Sequence, residues 1–216
     1  MTREEVKACI EEIGIFPGIR VGSADQALYA AKTLYAAGIP IAEITMTVPG
    51  AINVIGELAQ KFPDMVVGAG TVLDKETAER CLDAGARFIT STGLVMEVIG
   101  TAHRRGVVVI PGALTPTEVI SAWKAGADYV KIYPAAALGG DLYIRSLKLP
   151  LPQVSLIAAG GVNQQTATGF ILAGATALGV GSELLPKEAI RRHQEHRIHE
   201  LARRFLGFVK EARGSV

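Results

Sequence analysis

Short apolar stretches rich in β-branched residues recur along the chain and alternate with longer segments of mixed polarity. Eight of these stretches predict β-strands, at residues 15–20, 41–47, 65–71, 88–93, 107–113, 129–135, 155–161 and 177–184. Glycine ends the preceding segment in most cases, as at Gly38 and Gly85, and is typical of the left-handed residue that terminates a helix. The breaks recur about every 20–24 residues, the length of one strand followed by one helix.

The segments between the predicted strands open with residues that favour helix N-termini. Ser23 and Asp74 can cap a first turn, and Thr115 precedes a proline at a first-turn position. The last segment, 186–213, is predicted to be helical because apolar residues recur in it at helical spacing: Ile198, Leu201, Phe205 and Phe208. We interpret the three histidines of that segment as a solvated helix face rather than a metal site: His193, His196 and His199.

Strands that alternate with helices pair in parallel through right-handed crossovers. Parallel strands are buried on both faces and are nearly all apolar, as residues 107–110 are. Eight strand–helix units predict an α/β fold, a (β/α)8 TIM barrel of minimal size with an N-terminal helix, as one domain over residues 1–216. A doubly wound open sheet of about 6–8 strands is the alternative.

Composition narrows the class of protein. Apolar residues make up 49% of the chain, charged residues 20%, and the net charge is +1, so no overall field attracts nucleic acid or a membrane surface. Two widely separated cysteines, Cys9 and Cys81, exclude a disulfide-built fold. No apolar run reaches the ~18 residues of a membrane span, and the charged start lacks a signal-peptide pattern. We therefore expect a cytoplasmic protein with neither nucleic-acid nor membrane partners.

Two ionisable residues interrupt predicted strands that are otherwise largely apolar. Glu43 lies in the second strand, where alternation puts it on one face with Thr45 and Thr47. Lys131 lies in the sixth strand with apolar neighbours on both sides, so we expect it to point into the barrel. Burial favours the uncharged amine, which attacks carbonyl groups and forms Schiff bases, and an interior carboxylate suits general acid–base catalysis. The structural alternative is a buried ion pair between Glu43 and Lys131.

Glycines at the ends of the last two predicted strands indicate an anion site. Gly160 and Gly161 end the seventh strand, and Gly181 and Ser182 lie at the end of the eighth. In TIM barrels the loops after these strands frequently bind phosphate through backbone N–H groups and a helix N-terminus. Turn geometry alone is the alternative explanation.

Residues at the ends of the first and third strands suit a small anionic group. Gly68 and Gly70 let a ligand approach the backbone, and Thr71 can donate a hydrogen bond to a carboxylate. Arg20 is the only charged residue of the first strand and can clamp a carboxylate or a phosphate. A bare tight turn and a solvated strand end are the alternatives.

Six motifs follow one another along the chain: Glu-Ile-Thr-Met-Thr-Val-Pro at 43–49, Gly-Ala-Gly-Thr-Val at 68–72, Pro-Gly at 111–112, Val-Lys-Ile-Tyr-Pro-Ala at 130–135, Gly-Gly-Val at 160–162 and Gly-Val-Gly-Ser at 179–182. Together they resemble the KDPG/KHG aldolase family, the class I 2-keto-3-deoxy-6-phosphogluconate and 4-hydroxy-2-oxoglutarate aldolases. The resemblance implies a homotrimeric barrel that cleaves a 2-keto-3-deoxy sugar acid to pyruvate and an aldehyde. It implies a Schiff-base mechanism with no metal and no organic cofactor.

The resemblance also implies roles for individual residues. Lys131 matches the family's Schiff-base lysine, Glu43 its proton-transfer residue, and Thr71 the threonine at the pyruvate carboxylate. Gly161 and Ser182 match the phosphate end. The expected substrate-binding set is Arg20, Thr47, Gly70, Thr71, Pro111, Ala159, Gly160, Gly161, Gly181 and Ser182.

The chain departs from the family pattern at three places. Many members carry arginine where this chain has Thr47, and another branch pairs threonine there with an arginine at the end of strand one, as Arg20 is here. Thr92 stands where the family often has proline. Ala158 and Ala159 replace a proline and a threonine whose hydroxyl helps select the configuration of the new hydroxyl-bearing carbon. Because one methyl group discriminates weakly, the preferred epimer stays open.

The expected function is therefore the reversible cleavage of a KDPG-type substrate to pyruvate and glyceraldehyde 3-phosphate. Cleavage of 4-hydroxy-2-oxoglutarate to pyruvate and glyoxylate is a second expected reaction. Three alternatives stay open: an aldolase that prefers the galactonate-derived epimer, a phosphate-binding barrel lyase or isomerase that uses Glu43 as a base without a covalent lysine, and a sugar-phosphate sensor without catalysis.

Overall fold

Each of the eight predicted stretches contains a strand in the computed structural model, which describes residues 1–215. Stretch 107–113 contributes two short strands, because Pro111 has no backbone N–H and interrupts the pairing. The strands are β1 (Ile15–Ile19), β2 (Ile41–Thr45), β3 (Val66–Gly70), β4 (Phe88–Thr90), β5 (Val108–Ile110), β6 (Gly112–Ala113), β7 (Val130–Ile132), β8 (Leu156–Ala159) and β9 (Ala177–Val180).

The strands form one sheet that closes into a barrel. Neighbouring strands are all parallel, in the order β5-β4-β3-β2-β1-β9-β8-β7-β6. The two ends of this order, β5 and β6, are separated in the chain only by Pro111, so the sheet meets itself there. The predicted α/β barrel is confirmed, and the open doubly wound sheet is excluded.

Helices follow the strands, and one helix precedes them as predicted. The helices are α1 (Arg3–Ile13), α2 (Ala24–Ala36), α3 (Ala51–Lys61), α4 (Lys75–Asp83), α5 (Met96–Arg104), α6 (Pro116–Lys124), α7 (Asp141–Lys148), α8 (Ala167–Leu172), α9 (Lys187–Arg191) and α10 (Glu195–Gly214), with a 3-10 helix at Ala136–Leu138. Within residues 1–215, no helix is both long and apolar enough to cross a membrane.

The predicted N-caps are confirmed. Ser23, Asp74 and Thr115 each accept a hydrogen bond from a backbone N–H in the first turn of α2, α4 and α6. At α6 the capping box is complete, because the Glu118 carboxylate also accepts from the Thr115 N–H at 2.7 Å. These polar contacts satisfy N–H groups that a helix start leaves without an intrahelical partner.

The C-terminal segment differs from the single helix expected over 186–213. It forms α9 and α10, and the chain turns between them at His193, whose φ is +51°. His193 therefore does not share a helix face with His196 and His199, and its ring stacks on Tyr29 with centroids 4.4 Å apart. Helical spacing of apolar residues does not reveal a left-handed residue, which is why the sequence did not show this break. The part of the chain that the structure describes has no group of three or more His, Cys, Asp or Glu arranged for a metal.

Helix α1 closes one end of the barrel. Its buried Val6 and Ile10 join the interior cluster formed by residues at the strand starts, including Phe16, Phe88 and Tyr129. The Tyr129 hydroxyl donates to the Glu11 carboxylate at 2.8 Å, which fastens the helix to the barrel floor. Burial of the ring is the main reason that the Tyr129 pKa lies well above its usual range. Helix α1 and its apolar contacts thus cover the barrel interior at the amino-terminal ends of the strands.

Candidate active site

Glu43 and Lys131 meet inside the barrel. Glu43 lies on β2 and Lys131 on β7, and the Lys131 Nζ is 3.4 Å from the Glu43 Oε1. The side chains are 4% and 15% exposed, so the carboxylate is almost fully enclosed while the amine remains accessible. The pair is the ionic contact expected if neither residue had a chemical role. It also places an amine beside a proton acceptor, which a carbonyl-attacking nucleophile requires.

The barrel wall makes room for the Glu43 side chain through glycine. A Cβ on Gly70 of β3 would overlap the Glu43 carboxylate. On the other side, a Cβ on Gly18 of β1 would lie 3.7 Å from the Glu43 Oε2, at ordinary contact distance. The space that we expected Gly70 to offer a ligand is therefore occupied by the Glu43 carboxylate. Gly70 contributes to the site by letting a long acidic side chain lie flat against the next strand.

Thr90 belongs to the same cluster, although the sequence analysis did not single it out. Its hydroxyl donates to the Glu43 Oε1 at 2.6 Å, and both residues are buried. Thr90 ends β4, two positions after the inward-facing Phe88, so side-chain alternation could have indicated an interior hydroxyl. A single threonine at the end of a short strand is too common for the sequence to distinguish it from an ordinary strand residue.

Arg20 and Thr71 meet at the open end of the barrel. They follow β1 and β3, and the Arg20 Nη2 donates to the Thr71 Oγ1 at 3.4 Å. Thr71 has a φ of +59°, a conformation that is strained for a β-branched residue. Such strain costs of order 1–3 kcal/mol and concentrates at functional sites. The two residues form a donor pair that faces the same opening as Lys131.

Thr45, the last residue of β2, and Thr47, just beyond the strand, contact each other. The Thr45 hydroxyl donates to the Ile19 carbonyl at 3.0 Å and lies 2.7 Å from the Thr47 hydroxyl. Thr47 is exposed, so its hydroxyl is available at the mouth of the barrel. Both threonines thus share the Glu43 side of the strand, as alternation predicted.

Pro111 supports the strand that carries Lys131. Its carbonyl accepts the Lys131 backbone N–H at 2.9 Å, and Gly112 pairs with Lys131 in register. Pro111 is itself buried and lies between β5 and β6, where the barrel closes. This contact fixes the backbone from which the amine projects.

The loops after β8 and β9 form the predicted glycine-rich end. Gly160 and Gly161 have φ values of +82° and +83°, and added Cβ atoms would strike Pro134 and Ala136 in the segment after Lys131's strand. Turn geometry therefore explains these two glycines by itself. Ala159 is buried beneath them, while Gly161, Gly181 and Ser182 are exposed or partly exposed at the rim.

Cysteine does not compete with Lys131 as a nucleophile. Burial raises the pKa of the Cys81 thiol to about 12 and that of the Cys9 thiol to about 11. Both side chains are therefore protonated thiols at neutral pH, and the thiolate is the nucleophilic form.

Comparison with known proteins gives one consistent result. A family model described as KDPG and KHG aldolase matches residues 6–201. The KHG/KDPG aldolase of Escherichia coli strain K12 is 30% identical over 189 residues, which cover 88% of this chain and 89% of that protein.

Two solved structures share the fold at comparable identity. The first is a KDPG aldolase from Legionella pneumophila with pyruvate captured as a covalent carbinolamine intermediate. It is 32% identical with a TM-score of 0.79, and the match covers 88% of this chain and 94% of that one. The second is described as native KDPGal. It is 30% identical with a TM-score of 0.82, and the match covers 91% and 95%.

Proposed function

The chain belongs to the KDPG and KHG aldolase family, and we propose that Lys131 and Glu43 carry its reaction, the reversible cleavage of a 2-keto-3-deoxy-6-phospho sugar acid to pyruvate and glyceraldehyde 3-phosphate. One observation carries this assignment: the Lys131 Nζ lies 3.4 Å from the Glu43 Oε1 inside a barrel whose other end is packed by α1. Cleavage of 4-hydroxy-2-oxoglutarate to pyruvate and glyoxylate uses the same chemistry and is proposed as a second reaction.

The first half of the reaction forms the covalent intermediate. Glu43 accepts a proton from the Lys131 ammonium, and the neutral amine attacks the C2 carbonyl carbon to give a carbinolamine. Loss of water, with Glu43 returning protons to the departing oxygen, leaves an iminium. The positively charged nitrogen then serves as the electron sink for the next step.

The second half breaks the carbon–carbon bond. Glu43 takes the proton of the C4 hydroxyl, the C3–C4 bond breaks, and its electron pair moves through C2 to the iminium nitrogen. The aldehyde leaves, and an enamine of pyruvate remains on Lys131. Glu43 gives the proton it took to C3 of the enamine, and water hydrolyses the resulting iminium to release pyruvate and restore the amine. The scheme uses no metal and no organic cofactor.

Substrate contacts are assigned by position around this pair. We assign the carboxylate to the Arg20–Thr71 donor pair, which lies at the mouth of the barrel. The phosphate is assigned to backbone N–H groups of the glycine-rich end, at Gly160, Gly161, Gly181 and Ser182. Thr47 and Ala159 complete the proposed pocket, while Gly70 makes room for Glu43 and Pro111 supports the Lys131 backbone.

Preference for the galactonate-derived epimer is a second candidate. The likeness to the structure described as native KDPGal, 30% identical with a TM-score of 0.82, supports it. Ala159 supports it too, since no hydroxyl is present there to select the gluconate-type configuration. Paired assays of kcat/KM on the two phosphorylated epimers decide between them, because a ratio far from one identifies the preferred substrate.

A homotrimer in the cytoplasm is proposed as the working state, and Entner–Doudoroff carbohydrate metabolism as its context. Exposed apolar side chains at Leu73, Met96 and Leu142 support an assembly. Cys9 and Cys81 are free thiols, which suits a reducing compartment. Light scattering is expected to give three times the 22.7 kDa chain mass, and a monomer mass would contradict the trimer.

The direct test of the catalytic assignment is Lys131→Ala. Turnover is expected to fall to the background level, because no other amine lies beside Glu43 in the described residues. Lys124→Ala, on the exposed face of α6, is the matched control and should keep wild-type kcat. Circular dichroism checks that both variants are folded. Full activity in a folded Lys131→Ala variant would reject the scheme in favour of a non-covalent lyase or isomerase.

A further inference from the structure

The Glu43 side chain makes its shortest polar contact with the Thr90 hydroxyl. The Thr90 Oγ1 donates to the Glu43 Oε1 at 2.6 Å, whereas the Lys131 Nζ lies 3.4 Å from the same oxygen. Thr90 is 0% exposed and Glu43 3% exposed, so water does not compete for this bond. A hydrogen bond to an ionised carboxylate in such surroundings is stronger than one between neutral groups.

Few polar groups contact the Glu43 side chain. The adjacent strands, β1 and β3, present glycine to it, Gly18 and Gly70, and so contribute backbone packing but no side-chain hydrogen bond there. Thr90 and Lys131 are the two polar groups that contact the Glu43 side chain among the described residues, and both donate to its Oε1. Among residues 1–215, the Glu43 Oε2 receives no hydrogen bond and is not sealed from solvent.

We infer that Thr90 is a positioning residue for the reaction: it holds the Glu43 Oε1 and so reserves the Glu43 Oε2 for the substrate's proton. This inference rests on the proposed function, in which Glu43 moves the proton. It assigns the two oxygens different tasks. Oε1 is the anchored atom, and Oε2 is the atom that meets water or the substrate hydroxyl.

The experiment compares variants that differ in the hydroxyl. Thr90→Val removes it and keeps the side-chain shape, and Thr90→Ser keeps it. Thr101→Val is the matched control, a buried threonine of α5 whose hydroxyl donates to the Glu97 carbonyl at 2.8 Å away from the site. Deuterium exchange of the pyruvate methyl group in D2O, followed by NMR, reports the Glu43-dependent proton step. The extent of borohydride trapping with pyruvate reports Schiff-base formation.

Thr90→Val is expected to slow exchange about tenfold, the cost of one hydrogen bond to a charged group. The extent of trapping should stay near the wild-type value. Thr90→Ser should exchange within about threefold of wild type, and Thr101→Val at the wild-type rate. If Thr90→Val does not fold, Thr90→Ala and Thr90→Ser form a second pair that differs by the hydroxyl alone.

Two results would overturn the positioning role: wild-type exchange in Thr90→Val, or Thr90→Ser as slow as the variants without the hydroxyl. Neither result touches the proposed function, which is tested by Glu43→Gln in the same assay. Wild-type exchange in Glu43→Gln would remove Glu43 from the proton step, and the role of Thr90 with it. Loss of exchange in Glu43→Gln beside wild-type exchange in Thr90→Val would reject the Thr90 inference alone.

Discussion

At the residue scale, the site depends on enclosing a carboxylate beside an amine. Two charges in a low-dielectric interior are tolerated when they pair and when hydrogen bonds satisfy the remaining atoms. Glu43 pairs with Lys131 at 3.4 Å and accepts a hydrogen bond from Thr90 at 2.6 Å, both at Oε1. The same arrangement gives the amine a local proton acceptor. One contact therefore fits both a structural ion pair and the proposed chemistry, and the Lys131→Ala variant decides between them.

Gly70→Ala tests whether the barrel wall makes room for Glu43. The new Cβ would overlap the carboxylate, so either β3 or the Glu43 side chain must move. We expect the free energy of unfolding to fall by about 1–3 kcal/mol, as for other overpacked interiors. We also expect kcat to fall at least tenfold, because a displaced carboxylate no longer reaches the substrate proton. Denaturant unfolding and steady-state kinetics measure the two effects.

Gly207→Ala is the control for this change. Gly207 lies in α10, and an added Cβ there meets no atom within 4 Å. Its unfolding free energy should stay level or rise by up to ~1 kcal/mol, since alanine favours a helix more than glycine does. Unchanged stability and kcat in Gly70→Ala would show that Glu43 does not need the space.

Single residues were predictable from sequence when their chemistry conflicted with their surroundings. Glu43 and Lys131 are charged residues in apolar strands, and that conflict identified them. Thr90 was missed because threonine is an ordinary strand residue. The strained Thr71 was predicted as a carboxylate donor, but its φ of +59° could not be predicted, because a left-handed threonine is set by the tertiary structure around it.

At the element scale, apolar periodicity located every strand but extended most of them too far. Stretch 41–47 yields Ile41–Thr45 and stretch 88–93 yields Phe88–Thr90, because the chain leaves the barrel once its residues reach the rim. The residues just past the strand ends include Thr47 and Thr71, which are proposed to contact the substrate. The break at His193 went unpredicted, because the pattern of apolar residues continues across it.

The capping box of α6 gives a pH-dependent contribution to stability. Backbone N–H groups of Thr115 and Leu114 donate to the Glu118 carboxylate and hold the pKa of that carboxyl below its usual range. A depressed folded-state pKa means that the contribution is present at neutral pH and is lost as the pH falls through that value. Glu118→Gln should therefore be less stable than wild type at pH 7, and the difference should vanish in acid.

Thr115→Ala separates the cap from the charge. It should lower the free energy of unfolding by about 1 kcal/mol at neutral pH, since it removes the N-cap oxygen. Thermal unfolding of both variants between pH 3 and pH 7 provides the comparison. A Glu118→Gln difference that persists unchanged at pH 3 would contradict the carboxylate's role.

At the scale of the whole molecule, closure of both the sheet and its floor determines where chemistry can occur. β5 and β6 close the wall around Pro111, and α1 fills the floor with Val6 and Ile10. The sequence predicted the barrel and an initial helix, because both follow from alternating elements. It did not predict that the helix would plug the interior, since that depends on which end of the barrel the chain meets first.

Schiff-base formation between Lys131 and pyruvate is the step on which the proposed function depends. Sodium borohydride reduction in the presence of pyruvate, followed by intact mass and peptide mapping, detects it. We expect one reduced pyruvate adduct per chain, located on Lys131 and absent without pyruvate. A folded protein that acquires no adduct, or that carries it on a different lysine, would contradict the proposed role of Lys131.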